Sequence, residues 1–295
     1  MNKAIIILNP KAGKGKSINA LSEVLGYLNN LGFENCIYET QIKGDCIGIN
    51  AFLNEHKTGN LIVIMGGDGT LNDFVNAAPI GLSTPVLCLP GGSGNDFATW
   101  LHGHHSLKEI FDQLLRIFYN NTFSTLKPIQ VSICNGKKFI NGLGIGFDGW
   151  VAGKANSGQQ WLPPSLKYHL AILSGLFTFR SFYTNLGQSL ILAVANAPTY
   201  GGGFKVAPNA DPTDAYLDFW NIKPIPTHKR PYFLSFIKKG KHANTPGPYE
   251  SQKISEINIQ CHKPLPAHID GEFFEAERFE IKTLGEKLMF YTTSH

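Results

Sequence analysis

Residues 1–122 alternate apolar runs of strand length with segments whose apolar positions recur at helical spacing. Ala4–Leu8 reads as a buried strand, and Ser17 stands as an N-cap before Ile18, Leu21, Leu25 and Leu28, with Gly32 as the stop. A strand over Phe33–Glu39 precedes a helix between Asp45 and Glu55. The run Leu61–Met65 leads into a helix face of Leu71, Phe74 and Val75 that Thr70 would cap. Pro85–Leu89 is the next buried strand, and Leu107, Ile110, Phe111, Leu114, Leu115 and Phe118 mark a further amphipathic helix. This order predicts a parallel sheet with helices on both faces and ligands at the carboxyl ends of its strands.

From residue 123 onward the texture changes. Short β-rich runs (Ile129–Cys134, Lys138–Leu143, Leu190–Asn196, Leu217–Ile222, Glu256–Gln260, Arg278–Lys282, Lys287–Tyr291) are separated by Gly, Pro and Asn, which predicts a mostly antiparallel β domain. One helix interrupts it over Leu166–Phe182, with Leu170, Leu173 and Phe177 on one face and Tyr168, Ile172 and Leu176 widening it. That face reads as core; placed between domains it could instead wall an acyl chain. The polar stretch Asn120–Thr125 is the expected boundary, dividing residues 1–122 from 123–295, with the final strand free to return to the first domain.

Composition narrows the class without naming it. With 295 residues, 43% of them hydrophobic, the chain can bury a large core in about two domains. A net charge of +4 with 16% charged residues is too weak a field for nucleic acid, but suits an anionic substrate or an acidic membrane surface. Cys36, Cys46, Cys88, Cys134 and Cys261 are scattered and never form a C-x-x-C pair, as expected of a reducing compartment without structural zinc. Met1-Asn2-Lys3 leads straight into the first strand, so no signal peptide is expected, and Tyr168–Phe179 is shorter than a membrane-spanning helix requires.

Two glycine-rich stretches carry the chemistry. Gly66-Gly67-Asp68-Gly69-Thr70 and Pro90-Gly91-Gly92-Ser93-Gly94-Asn95-Asp96-Phe97-Ala98 each follow a buried run and hold an acid. Glycine lets backbone N–H groups approach phosphate oxygens, and an Asp in each loop can hold the magnesium that travels with them. Asn9-Pro10-Lys11-Ala12-Gly13-Lys14-Gly15-Lys16-Ser17 adds amides and lysines at a helix start. It ends like a P-loop, but the position of that motif's first glycine is Pro10, which has no N–H to give. Asp270 and Glu272, if both lie in one strand, face the same side and could serve as general base; an exposed acidic turn is the competing reading. Asp211-Pro212-Thr213-Asp214-Ala215-Tyr216 is rich in oxygen donors and reads either as a cation loop or as an Asx-turn without metal. His102, His104 and His105 read as a surface loop.

Taken together, Asn9-Pro10 with Gly13 and Lys14, the Gly66–Asp73 and Pro90–Ala98 stretches, and Asp270-Gly271-Glu272 resemble the diacylglycerol kinase catalytic-domain family. That family includes soluble bacterial lipid kinases, diacylglycerol kinases, sphingosine kinases and ceramide kinases. The resemblance implies a Rossmann-like α/β domain related to NAD kinases, a C-terminal antiparallel β-sandwich, and ATP with Mg2+ in the cleft between them. It implies nucleotide contacts at Asn9, Pro10, Lys11, Ala12, Gly13, Lys14, Thr40, Gly66, Gly67, Asp68, Gly69, Thr70, Gly92, Ser93, Asn95 and Asp96. By the same resemblance Asp68 and Asp96 organise the catalytic magnesium, Asp211, Asp214 and Tyr216 hold a structural one, and Glu272 is the base with Asp270 competing or cooperating. Two departures stand out: Gln130 where members often have Asp, and Ala215 where Gly is usual.

The expected activity is transfer of the γ-phosphate of ATP to the hydroxyl of a lipid, diacylglycerol or a related glycerolipid or sphingoid base. The rivals are a kinase for a soluble substrate such as NAD and a non-catalytic nucleotide- or lipid-binding regulator. The expected partner is the lipid at a membrane surface, with the protein cytoplasmic and peripheral to the inner membrane face; a homodimer is compatible with the sequence.

Overall fold

The computed structural model describes residues 2–57, 59–120, 126–157, 162 and 164–293. They form two compact units, Met1–Val131 with Glu286–His295, and Ser132–Gly285. Residues 121–125, on which the expected boundary falls, lie outside the described residues.

In the first unit β1 (Asn2–Leu8), α1 (Lys16–Asn30), β2 (Phe33–Glu39), α2 (Cys46–Glu55), β3 (Leu61–Gly66), α3 (Asp68–Ala77), β4 (Val86–Pro90), α4 (Asp96–His102) and α5 (Leu107–Asn120) follow one another. The strands are parallel, in the order β4-β3-β1-β2. Phe290 pairs beside Val86 of β4, so the last stretch of chain extends the same sheet. Strands buried on both faces need continuous apolar runs, which is what Ala4–Leu8 and Leu61–Met65 supply. Ala4, Ile6, Leu8 and Val63 meet Val24 and Leu28 of α1 and Ile110, Phe111 and Leu114 of α5, while Ile5, Ile7, Ile62 and Ile64 alternate with them and are buried too. Because β1 lies between β2 and β3, the winding reverses there and opens a crevice at their carboxyl ends.

Three local expectations are corrected in this unit. Gly15, at φ 88°, takes the N-cap position of α1, and the Ser17 hydroxyl instead donates to the Gly91 carbonyl at 3.3 Å. Gly67 likewise occupies the cap of α3, leaving Thr70 inside the first turn. His102 is buried, not part of a surface loop: its Nδ1 lies 3.2 Å from the Thr293 hydroxyl, which also meets His105 Nδ1 at 2.9 Å, whereas His104 is exposed.

In the second unit the elements are β5 (Leu126–Cys134, entering from the first), β6 (Lys137–Phe139), β7 (Gly142–Gly146), α6 (Phe147–Ser157), α7 (Pro164–Thr178), β8 (Phe182–Thr184), β9 (Gly187–Ser189), β10 (Ile191–Ala195), β11 (Leu217–Ile222), α8 (Arg230–Lys238), β12 (Tyr249–Ile254), β13 (Glu256–Ile269) and β14 (Glu272–Tyr291). The antiparallel order is β12-β11-β10-β7-β13-β14. Alternation along β10 divides the core: Leu192 and Val194 join Phe139, Phe219 and Phe279, whereas Ile191, Ala193 and Ala195 join Phe147 of α6 and Ile172 and Leu176 of α7.

The run Lys138–Leu143 is split into β6 and β7 because the N–H groups of Ile140, Asn141 and Gly142 turn to the Asp270 carboxylate. Arg278–Lys282 and Lys287–Tyr291 are one strand, β14. Helix α7 is rotated from expectation: Ala171, Ile172 and Leu176 face the core, and Leu170, Leu173 and Phe177 face outward. It stops at Thr178, where the Arg230 guanidinium donates to the Leu176 and Phe179 carbonyls at 3.1 and 2.7 Å. Among the described residues no helix is long and apolar enough to cross a membrane.

The buried histidine makes the fold acid-sensitive. Burial pushes the His102 imidazole down from 6.5 to about 4, the Cys88 carbonyl opposing in part and His105 adding to it. The folded state therefore holds it neutral while the unfolded chain takes a proton below about pH 6.5. Its stabilisation is fully present above that pH and is lost as pH falls toward 4, about 2 kcal/mol of it by pH 5. His102→Gln should narrow the difference between the denaturant midpoints at pH 7.5 and pH 5; an unchanged difference would contradict this account.

Candidate active site

Three loops converge at the carboxyl ends of the parallel strands. Asn9 follows β1, and its side-chain amide donates to the Thr70 hydroxyl at 3.0 Å, tying the loop after β1 to the loop after β3 across the point where the winding reverses. Gly91 N–H donates to the Gly66 carbonyl at 2.8 Å and joins the loop after β4. The contact is backbone against backbone: a Cβ on Gly92 would lie 2.5 Å from Gly67 Cα, and one on Gly13 would lie 2.4 Å from Gly91 O. Gly13, Lys14 and Gly15 have φ of 56°, 61° and 88°, and the left-handed backbone at Lys14 costs about 1 kcal/mol or more. Thr40 sits just past β2, its N–H on the Leu8 carbonyl, beside the same loop.

Asp68 holds the second and third loops together. One carboxylate oxygen accepts Asp96 N–H at 3.2 Å and the other Phe97 N–H at 3.1 Å, so the acid of one loop caps the helix of the next. Asn95, itself left-handed at φ 57°, closes the third loop by accepting Gly92 N–H at 2.7 Å and donating to the Gly92 carbonyl at 3.0 Å. Ser93 lies in the turn so formed, and Asp96 is buried at the start of α4.

In the second unit, Asp270 and Glu272 do not share a strand face as the sequence suggested. Asp270 (φ 47°) and Gly271 (φ 87°) are the two central residues of a tight hairpin turn, and Ile269 pairs with Glu272 across it. Asp-Gly is the dipeptide such a turn favours, because both residues need positive φ. The Asp270 carboxylate accepts the N–H groups of Ile140, Asn141 and Gly142 at 3.0, 3.0 and 2.8 Å. Its lone pairs are committed to the backbone, while Glu272 stands half-buried at the start of β14.

A polar cluster that the sequence reading passed over adjoins this turn. His268 Nδ1 accepts Gly271 N–H at 3.3 Å, the His268 ring meets the Tyr200 ring edge-on at 5.4 Å, and the Tyr200 hydroxyl donates to Asp148 at 3.2 Å. Burial pushes the Asp148 carboxyl up to about 6, the Tyr200 hydroxyl opposing, and pushes the His268 imidazole down to about 4. Asp148 and Tyr200 give one polar side to a mostly apolar cavity of about 20 Å³ beneath Ile172 of α7, room for about one water. Asp148 could have been found: it follows the apolar run of β7 and precedes Gly149, the pattern that singled out Asp68.

Residues 3–122 match the family model for the diacylglycerol kinase catalytic domain, and residues 141–287 match that for the YegS C-terminal NAD kinase beta sandwich-like domain. The chain belongs to the diacylglycerol kinase catalytic-domain family. A diacylglycerol kinase of Staphylococcus carnosus is 24% identical over 281 residues, 92% of this chain and 89% of its own length. The crystal structure of a diacylglycerol kinase from Bacillus anthracis superposes with a TM-score of 0.70 at 23% identity, covering 99% of this chain and 97% of that one. An ATP-bound NAD kinase from Archaeoglobus fulgidus shares the fold with a TM-score of 0.57 at 12% identity, covering 100% and 94%.

The two magnesium sites that membership in this family implies fare differently. Each Asp68 oxygen keeps a free lone-pair direction beyond the one amide it accepts, and among the described residues no group of three acidic, His or Cys side chains is placed to hold an ion. That donor set fits a magnesium arriving on nucleotide phosphates and keeping its waters, not one caged by protein. In the Asp211–Tyr216 loop the Asp214 carboxylate is instead neutralised by a protein cation. One Asp214 oxygen holds the Lys253 ammonium and the other accepts Tyr216 N–H at 2.8 Å, while Asp211 accepts the N–H and hydroxyl of Thr213. The hydrogen bond to Asp214 pushes Lys253 up from its usual value, so the loop already has its cation. Ala215 is absent from the positive-φ residues, which explains why no glycine is needed there. Gln130 is buried in β5, where a neutral amide carries no ionisation cost.

A chelator should therefore leave the melting temperature of the protein unchanged, and Lys253→Met should lower stability by about 1 kcal/mol or less, the pair being half-exposed. A wild-type melting temperature that falls in EDTA and recovers with magnesium would put a metal back in the loop.

Proposed function

We propose that this protein transfers the γ-phosphate of ATP to the hydroxyl of a membrane lipid, diacylglycerol or a related glycerolipid or sphingoid base. The observation that carries the proposal is the backbone junction of the loops after β3 and β4, joined through Asp68 beside the winding reversal of a parallel sheet. Family membership supports the choice of lipid over NAD as acceptor. Amides of the Gly66–Thr70 and Gly91–Asp96 loops, with Asn9, Lys14 and Thr40, would bind the nucleotide and offset charge developing on the transferred group. Magnesium, when bound with the nucleotide near Asp68 and Asp96, would neutralise phosphate charge. Glu272 takes the proton from the lipid hydroxyl, and Asp270, locked by three amides, fixes the turn that presents it. The substrate places the enzyme at the cytoplasmic face of a membrane.

Two measurements test this. Glu272→Gln should lower kcat for labelled phosphate transfer to diacylglycerol by about 100-fold or more while nucleotide affinity stays within about threefold. Gly13→Ala, which forces a Cβ onto the Gly91 carbonyl, should instead weaken ATP binding by about tenfold or more. Wild-type turnover no better than that of the Glu272 variant on every glycerolipid and sphingoid base, or phosphorylation of NAD alone, would overturn the proposal.

A further inference from the structure

Helix α7 is buried on one side only. Leu166, Leu170, Leu173 and Phe177 are 44%, 47%, 55% and 60% exposed, and their spacing of four, three and four residues lines them along one face. Scattered exposed apolar side chains are ordinary; a continuous line of them on one helix marks a surface made to be covered. Its surroundings name the cover. Past its C-terminus the chain of Thr178, Phe179 and Arg180 borders an open groove of about 640 Å³ that also takes in Lys154, Lys263 and Phe273. Three cations face it against one carboxylate, Glu275. The Lys154 ammonium lies 5.6 Å over the Trp150 ring, and neither Arg180 nor Lys263 makes an ion pair among the described residues.

An apolar helix face continuous with aromatic and cationic side chains is the pattern of a helix lying in the headgroup layer of an anionic bilayer. A second copy is disfavoured as the cover, since a two-fold contact through this face and groove would carry the Lys154, Arg180 and Lys263 of both copies into one interface with only the two Glu275 carboxylates of the grooves to offset them. We propose that the outer face of α7 and the adjoining Lys154–Arg180–Lys263 groove are the surface by which this protein docks on a bilayer containing anionic phospholipid. This extends the lipid-kinase proposal by locating the membrane contact, and docking is measurable without turnover, so either can fail alone.

The test is sedimentation of the full chain, without nucleotide, on vesicles of phosphatidylcholine or of phosphatidylcholine with phosphatidylglycerol. Binding should be about tenfold or more tighter on the anionic vesicles and weaken as salt rises. Leu173→Gln with Phe177→Gln should reduce binding about tenfold or more, and Arg180→Gln with Lys263→Gln should erase the preference for phosphatidylglycerol. Both pairs are exposed, so melting curves should match the wild type; if the first pair does not fold, Leu166→Gln with Leu170→Gln probes the other end of the same face. Equal binding to both vesicles, binding to neither, or undiminished binding by a folded stripe variant would overturn the proposal. So would a concentration-dependent dimer that the stripe variant abolishes, which would assign the face to a second copy.

Discussion

Everything at the nucleotide end of the first unit depends on two loops touching through their backbones. Gly66 and Gly67 lie against Gly91 and Gly92 with no room for a side chain between, and the Asp68 carboxylate spans the contact to cap α4. An acid at a helix start is favourable because the first amides point outward unpaired. Here that acid comes from a neighbouring loop, so one interaction both finishes a helix and sets the distance between two phosphate-type turns. Ser17 on Gly91 and Asn9 on Thr70 then tie the first loop to the pair.

The second unit uses the same device. Asp270 spends its carboxylate on three backbone N–H groups, which breaks a strand into β6 and β7 and pins the hairpin at Asp270-Gly271. In each unit, then, the motif's first acid is a fastener for the backbone. In the proposed reaction the chemistry is left to what the fastened segment presents: amides in one case, Glu272 in the other. A carboxylate whose oxygens are committed to amides is a poor proton acceptor, and this separates the roles of two acids that stand two residues apart.

The parallel half of the fold was legible because strands buried on both faces write themselves as unbroken apolar runs, as in Ala4–Leu8 and Leu61–Met65. Caps were less legible: Ser17 and Thr70 have the right side chains, but Gly15 and Gly67 hold the cap positions and free those hydroxyls for other loops. The orientation of α7 was illegible for a different reason. It carries two apolar stripes, and the buried one is chosen by Ala171 and Gly175, small enough for α6 to approach; a Cβ on Gly175 would come within 2.8 Å of Trp150. Helix α6 itself, with Gly149 pressed against Ala267, shows no amphipathic spacing to find. The ammonium that fills the Asp214 loop comes from Lys253, far along the chain, and no local pattern announces such a pairing. Asp270-Gly271, by contrast, is a standard hairpin signal that a strand interpretation of the segment overlooked.

The contact between Thr293 and His102 bears on how the protein is made. The two residues stand 191 positions apart, yet both belong to the first unit, and Phe290 pairs with β4 in the same unit. A nascent chain emerging from the ribosome thus presents β4 and α4 long before their last neighbours exist, with the whole second unit synthesised in the interval. The first unit thus stays unfinished until synthesis has passed the whole of the second, so the ordering of translation delays its completion until nearly the entire chain is present.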